Sequence, residues 1–382
     1  MCRSVTHGFV CALLLLSFSG DTKADAPKTL DQYVKLSASA KITLAQAIEA
    51  AVKEAPGARP IEAELEEKDG APRYEIELLV GDGVKEAKVD ARDGRVIKIE
   101  VEELDEDDAK ELAATRAALD ASKTSLVGAI EAALRRVEGG RAIEAELETE
   151  DGKAVIEVTV VTAQGLREVE IDAATGEVKK VEPKATPVVV FHFDDPAVGG
   201  LPAGWSARET NGGGKPGVWK ISADAAAPSK PNVLKLTTEA DDATYNVLLA
   251  AKTTLTDIDL RVRVRADGGN EDQGGGLIWR GKDENNYYIC RFNPLESNYR
   301  VYKVIDGKRT QLASVKAETK AGQWYEVRAV MNGERIACYL DGKKLLEATD
   351  AAIKEAGWIG LWTKADASSS FDDLMMFPVE GK

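Results

Sequence analysis

The sequence predicts two small α+β repeats followed by an all-β sandwich, and three observations carry that expectation. Residues 44–100 lie over residues 126–182 without a gap at an offset of 82, and 25 of the 57 positions are identical. Each copy opens on a helical period and continues in alternating apolar and charged runs. Beyond Pro183 and Pro187 the helical period fades, and short alternating runs separated by Gly, Asn and Asp fill the remainder.

Residues 1–26 read as a secretory signal peptide. Arg3 precedes the apolar run Phe9–Phe18, and Ala24-Asp25-Ala26 offers a cleavage site. The run is too short to span a bilayer, and Phe9-Val10 before Cys11 is no lipobox. The chain is therefore expected to be exported, to the periplasm or outside the cell. Past that segment only Cys290, Cys338 and His192 remain of their kinds, too few for a cysteine-based zinc site. Either two buried thiols or one bridge would fit the two cysteines.

The formal net charge is −15. It is concentrated in residues 27–182, which hold 36 acidic and 22 basic residues, against 27 and 26 from Pro183 onward. Such a surface repels phosphate backbones and anionic lipid, so nucleic acid and membrane surfaces are not expected partners.

The first repeat spans residues 40–102. Leu44, Ile48, Ala51 and Val52 form one helical stripe, and Thr43 with Gln46 makes a capping box. The second spans residues 122–183 and keeps Leu126, Ile130, Ala133, Leu134 and Val137. Its cap, Ser125, faces Gly128 where a reciprocal side chain would stand, so it should be weaker. The hexapeptide IEAELE follows in both copies, at Ile61–Glu66 and Ile143–Glu148. Its apolar residues should meet the helix and its glutamates should face water. Further strands follow turns at Asp69-Gly70, Asp151-Gly152, Asp93-Gly94 and Thr175-Gly176. Residues 103–121 read as an acidic, mostly exposed helical linker. Its Glu103, Asp105 and Asp108 imitate a glycosidase spacing, with no strand or cleft to use it.

The stretches VDARDGRV (Val89–Val96) and IDAATGEV (Ile171–Val178), each closing a helix-then-strands unit, resemble the PepSY domain. The resemblance implies an interaction or regulatory module with a possible protein partner, or a peptidase inhibitor. Residues 188–378, through GGLIWRGKDENNYYICRFNP, AGQWYEVRAVMNGERIACYLDGKKL and AGWIGLWTKADASSSFDDLMM, resemble a concanavalin A-like, laminin G-like jelly roll. More narrowly they resemble the 3-keto-disaccharide hydrolase domain, grouped with glycoside hydrolase family 16. That implies either a glycan-binding sandwich or a hydrolase or lyase acting on (3-keto-)disaccharides.

No strand carries the E-x-D-x-x-E pattern of family 16, so catalytic acids would come from loops: Glu271, Asp272 and Asp366, with Asp283, Glu284 and Glu296 as further choices. In NYYICRFN, Tyr288, Cys290 and Phe292 should face the core and Tyr287, Arg291 and Asn293 the opposite side. In WIGLWTK, Trp358, Trp362 and Lys364 should point outward. Trp279, Arg280 and Tyr302 would join a sugar-binding face of rings and hydrogen-bonding groups. His192 reads as a strand-packing residue. Asp194 and Asp195 near the domain's start, with Asp372 and Asp373 near its end, would suit one structural calcium.

Overall fold

The computed structural model describes residues 27–102, 106–150, 153–194, 198–212, 217–240 and 243–379. The expected signal peptide, Glu103, Asp105 and Asp195 lie outside them.

The N-terminal half runs α1 (Leu30–Ser39), α2 (Leu44–Glu54), β1 (Arg59–Lys68), β2 (Ala71–Val80), β3 (Gly83–Asp90), β4 (Val96–Val101), α3 (Glu106–Ala121), α4 (Leu126–Arg136), β5 (Arg141–Glu150), β6 (Lys153–Thr162), β7 (Gly165–Asp172) and β8 (Val178–Lys184). The two meanders do not form separate sheets. β1 pairs antiparallel with β5, giving one eight-stranded sheet in the order β4-β3-β2-β1-β5-β6-β7-β8. The apolar stripes of α2 and α4 pack on a single shared core, with Ala47, Ile48, Ala51, Ala129, Ile130 and Ala133 all buried. The capping contrast appears as expected. Thr43 and Gln46 bond reciprocally at 2.9 and 3.2 Å, whereas Ser125 Oγ accepts from Gly128 N at 3.1 Å with nothing returned.

The expected helix is present over residues 106–121, and among its described side chains Leu112, Thr115 and Ala118 are buried. Leu112 is buried with Ile61, Leu79 and Val84, and Arg59 bonds Asp120 and the Leu119 carbonyl. Its few apolar residues suffice because a β-bulge between Pro60 and Glu62 turns Ile61 out toward them. One expectation is corrected here: the strand glutamates are not a simple wet face. Glu66 is 5% and Glu77 9% exposed, because flanking strands place long side chains on either side of each.

The C-terminal half runs β9 (Val189–Phe191), β10 (Trp205–Thr210), β11 (Val218–Ala223), β12 (Asn232–Thr237), β13 (Tyr245–Leu255), β14 (Ile258–Gly268), β15 (Gly276–Asp283), β16 (Asn286–Asn293), β17 (Asn298–Ile305), β18 (Lys308–Lys316), β19 (Trp324–Asn332), β20 (Arg335–Leu340), β21 (Lys343–Thr349), β22 (Gly357–Lys364) and β23 (Ser368–Phe377). A seven-stranded sheet, β10-β13-β22-β15-β16-β17-β18, faces an eight-stranded one built on β11-β12-β23-β14-β19-β20-β21, with β9 beside β23. Tyr288, Cys290, Phe292, Ile359 and Leu361 lie in the core between them. Both cysteines are free and buried there.

Leu112→Ala tests the packed role of α3. Truncating a buried leucine costs about 2–5 kcal/mol, so denaturant unfolding should show a loss of that size, whereas a solvated linker would show nearly none.

Candidate functional site

Strand alternation sends a second set of side chains to the outer face of the seven-stranded sheet. Val247, Leu249, Ile278, Tyr287, Ile289, Tyr302, Val304 and Trp362 form a small cluster there, flanked by half-buried Tyr245 and Trp358. The directions expected for Tyr287 and Trp362 are therefore the observed ones. Their exposure is not. Tyr287 is 0% and Trp362 1% exposed. Trp362 Nε1 donates to Tyr287 Oη at 3.1 Å, and Tyr287 Oη lies 2.7 Å from Thr210 Oγ1. Burial raises the Tyr287 phenol well above its ordinary range. These rings brace the sheet and present no flat face to a ligand.

The cover is Arg309, a residue that the alternation argument did not select. It sits on the β17–β18 hairpin, and its guanidinium lies 4.6 Å from the Tyr302 ring centre, 4.9 Å from Tyr245 and 5.8 Å from Trp362. Its Nη1 is buried without a hydrogen-bond acceptor. The only signal in the sequence was an arginine two residues past an Asp-Gly turn, within reach of an aromatic sheet face.

Beside this platform the structure gathers several expected residues into one polar array. Asn293 Nδ2 donates to Asp272 Oδ1 at 2.8 Å, and Lys364 Nζ lies 3.7 Å from Asp272 Oδ2. Arg291 donates to Asn298 at 2.9 Å and to Glu296 at 3.1 Å, and Arg300 reaches the same Glu296 oxygen at 2.9 Å. Arg291 and Asn293 are buried, Lys364 and Arg300 half-buried, and Glu296 exposed. Burial lifts the Asp272 carboxyl above its usual value although Arg291 and Lys364 pull it down. At Glu296 burial is outweighed by hydrogen bonds from Asn298 and Arg291, which hold that carboxyl low.

Other expected site residues lie elsewhere. Arg280 donates to the carbonyls of Thr256, Ile353 and Gly333 at 2.6, 2.8 and 2.6 Å and pairs with Asp257, so it ties loops together. Trp279 points into the sandwich core, its Nε1 3.1 Å from Met331 sulfur. Glu271 is exposed, and Asp283 caps the β15–β16 turn through Asn285 N and Asn286. Asp366 accepts the backbone N–H groups of Asn270, Glu271 and Asp272 at 2.6, 3.0 and 3.1 Å. It clamps the loop that carries Asp272, which makes it a positioning residue.

The expected calcium corner is arranged differently. Asp372 accepts from Ser229 N, Ser229 Oγ and Asp373 N, while Asp373 Oδ1 faces Ser229 Oγ and His192 Nδ1 at 2.8 and 3.0 Å. Asp194 Oδ1 accepts from Asn232 N. Burial, then the adjacent Asp373, pushes Asp372 up to about 9. Asp372 Oδ1 and Oδ2, Asp373 Oδ1 and Asp194 Oδ1 each face a protein donor, and among the described residues these carboxylates do not gather into one group. These residues fit a hydrogen-bonded corner better than an oxygen cage, and His192 is part of it rather than a packing residue.

Residues 41–100 and 125–182 match the PepSY family, the peptidase propeptide and YPEB domain, and residues 199–376 match the 3-keto-alpha-glucoside-1,2-lyase-like domain. The chain carries two PepSY repeats and one 3-keto-α-glucoside-1,2-lyase-like domain. Among curated proteins none matches the sequence. Solved structures similar to it include the carbohydrate-binding module CBM66 from Bacillus subtilis, with 19% identity over 46% of this chain and 96% of that one, TM-score 0.38. The cellulose-induced protein Cip1 is 13% identical over 49% and 96%, TM-score 0.39. A Bacillus subtilis protein with a galectin-like fold is 14% identical over 45% and 88%, TM-score 0.35. In the lyase-like domain the array of Asp272, Arg291, Asn293, Glu296, Arg300 and Lys364 beside Arg309 is the candidate site.

Asp366→Asn should loosen the Asp272 loop and cost about 1 kcal/mol at neutral pH, because water can reach the exposed Asn270 and Glu271 N–H groups and only part of the bonding is lost. The Asp366 carboxyl is held low by those three N–H groups against burial. Its contribution is therefore present above the unfolded value near 3.9 and vanishes as pH falls through the folded one. Unfolding curves of both proteins should converge at low pH.

Proposed function

We propose that the outer face of the seven-stranded sheet binds a saccharide, held by Arg309, Arg300, Lys364 and Glu296 with Tyr245 and Trp358 at its rim. The observation that carries this is the Arg309 guanidinium, spread over three rings with a buried N–H that lacks an acceptor. An orphaned donor is costly unless something supplies an oxygen. Sugar hydroxyl and keto oxygens are such acceptors, and the neighbouring carboxylate, guanidinium and ammonium groups can bond the remaining hydroxyls. The lyase-like family is named for 3-keto-α-glucosides, which makes an oxidised disaccharide the first ligand to try. The PepSY pair serves in this reading as an interaction module toward a protein partner, and the protein works outside the cytoplasm.

A second reading is favoured by Asp272 alone. A buried carboxyl of raised pKa, 3.7 Å from an ammonium, is suited to taking the C2 proton next to a 3-keto group. The electron pair would then expel the C1 substituent, leaving an unsaturated keto sugar and the free aglycone. Peptidase inhibition through the PepSY units has no geometric support of its own.

Binding of 3-keto-trehalose or 3-keto-sucrose by calorimetry distinguishes these. Arg309→Ala should weaken binding at least tenfold while leaving the fold intact, since the half-buried guanidinium covers the rings without bonding them. Undiminished affinity in that variant removes the site. Release of free sugar by the wild type, abolished in Asp272→Asn, would establish the lyase reading. Calcium is a separate matter, tested by melting with EDTA and with added calcium. Because Asp372 Oδ1 and Oδ2 and Asp373 Oδ1 already face protein donors, variants there should not change any calcium response.

A further inference from the structure

The joined sheet ends on two edge strands, β4 in the first repeat and β8 in the second. Among the described residues neither has a further strand beside it. The offset of 82 makes these edges equivalent, as it aligns Glu62 with Glu144, Glu77 with Thr159 and Glu102 with Lys184. Both strands carry the same bulge near their start, so it does not set them apart. Their side chains do. β8 places Lys179 and Pro183 where β4 has Ile97 and Val101. A lysine and a proline are common means of keeping a sheet edge from pairing. In β4 the same positions are apolar, and Ile97 is 50% and Val101 71% exposed.

The backbone agrees with this contrast. Glu102 N–H donates to the Val84 carbonyl of β3 at 3.1 Å. Residues of an antiparallel ladder alternate between bonding one neighbour and facing the other side. The backbone groups of Glu100 and Lys98 therefore turn to β3, and those of Ile99 and Val101 turn to the open edge. Pro183 occupies the outward position in β8, where a missing N–H costs the sheet nothing and removes a donor from its edge. β4 keeps that donor. Its edge is also accessible, because a groove of about 550 Å³ lies between it and the last turn of α2, lined by Lys53, Glu54 and residues 94–99.

The sequence of β4 complements itself. Matching outward groups to outward groups in an antiparallel pair of β4 strands requires a two-fold axis through a residue. An axis at Lys98 opposes that lysine to itself, and an axis at Glu100 opposes that glutamate to itself. An axis at Ile99 sets Lys98 against Glu100 of the second copy, twice over, and Ile97 against its Val101. Within one chain Lys98 and Glu100 already pair at 2.5 Å, so the four charges alternate in sign around a square. Glu100 also ends a row of acids that continues through Glu86, Glu77 and Glu62, where an added lysine is favourable and an added acid is not.

We infer that β4 is a dimerisation edge, on which two copies of this chain pair antiparallel through residues 97–101 about an axis at Ile99. The interface is isologous, and it closes, because the far end of each sheet is the blocked β8 edge. Two copies join and no third can add. Only a short stretch of each strand takes part, so the association is weak and needs concentrated protein.

The test is sedimentation equilibrium of the full chain from about 1 μM to about 1 mM, the range suited to a small interface. The wild type should pass from monomer to dimer and no further. Ile97→Lys with Val101→Pro gives β4 the side chains of β8. Since β8 folds with those residues, the variant should keep the wild-type melting temperature to within a few degrees, and it should weaken dimerisation about tenfold or more. Lys98→Glu alone and Glu100→Lys alone should each lose the dimer, because like charges then face each other. An equal mixture of those two single variants should dimerise again, since every opposed pair regains opposite sign. A wild type that stays monomeric at the highest concentration overturns the inference, as does a dimer indifferent to the changes at Ile97 and Val101. Failure of the mixture to dimerise overturns the axis at Ile99, and growth beyond the dimer overturns closure at β8.

Discussion

The antiparallel pairing of β1 with β5 across Ala63 and Ala145 is the constraint on which the N-terminal half turns. It merges two helix-and-meander units that would each be too small to bury both faces of a helix well. The methyl side chains at the junction let α2 and α4 share one core. The same register fixes the other face. Residues 62 and 64 alternate with 63 and 65, so the apolar choice on one side commits glutamates to meet glutamates on the other. Like charges directly opposed are unfavourable even in water, and partial burial increases the cost.

Much of this was legible in the sequence because it is local. The helical stripes, the reciprocal cap at Thr43 and its one-sided counterpart at Ser125 depend on residues within one turn of each other. The strands followed from period-two alternation. Pairing between the copies was not legible, since either edge of a meander offers the same unpaired backbone. The burial of Glu66 and Glu77 was missed as well, because it depends on which long side chains the neighbouring strands set beside them. Helix α1, with Leu36 buried, was missed because its polar residues dilute a short stripe. Helix α3 was legible as a helix, but the burial of Leu112 against Ile61 was not, because the bulge leaves no signature in the hexapeptide.

The sandwich shows the same division between direction and cover. Alternation correctly sent Tyr288 and Cys290 inward and Tyr287 and Trp362 outward. It could not show that Tyr287 and Trp362 bond each other, nor that Arg309 reaches the Trp362 ring from an edge strand four places away in the sheet. The result is a face whose rings hold the scaffold and whose charged groups meet solvent. Arg280 followed a different course. A bulge in β15 after Trp279 breaks the alternation, and the guanidinium becomes a tie between loops. The polar array around Asp272 survived because its members come from adjacent strand ends, where register keeps neighbours together.

Divergence between the repeats is most informative where the fold leaves least freedom. Thr159 and Lys184 both touch Glu144, so changing either alone would strand a buried carboxylate with half its partners. Glu77 and Glu102 differ from them together, and both raise the pKa of Glu62. The two corners therefore carry different charge patterns on equivalent strands: a hydroxyl and an ammonium beside Glu144, two carboxylates beside Glu62. The surrounding strands, the Ala63–Ala145 contact and the helix core are the same for both corners. At Glu144 the neighbouring positive charge is on Lys184, and at Glu66 and Glu75 it is on Arg73. At Glu62 and Glu77 the row of acids reaches its most buried point, and burial with mutual repulsion raises both carboxyls.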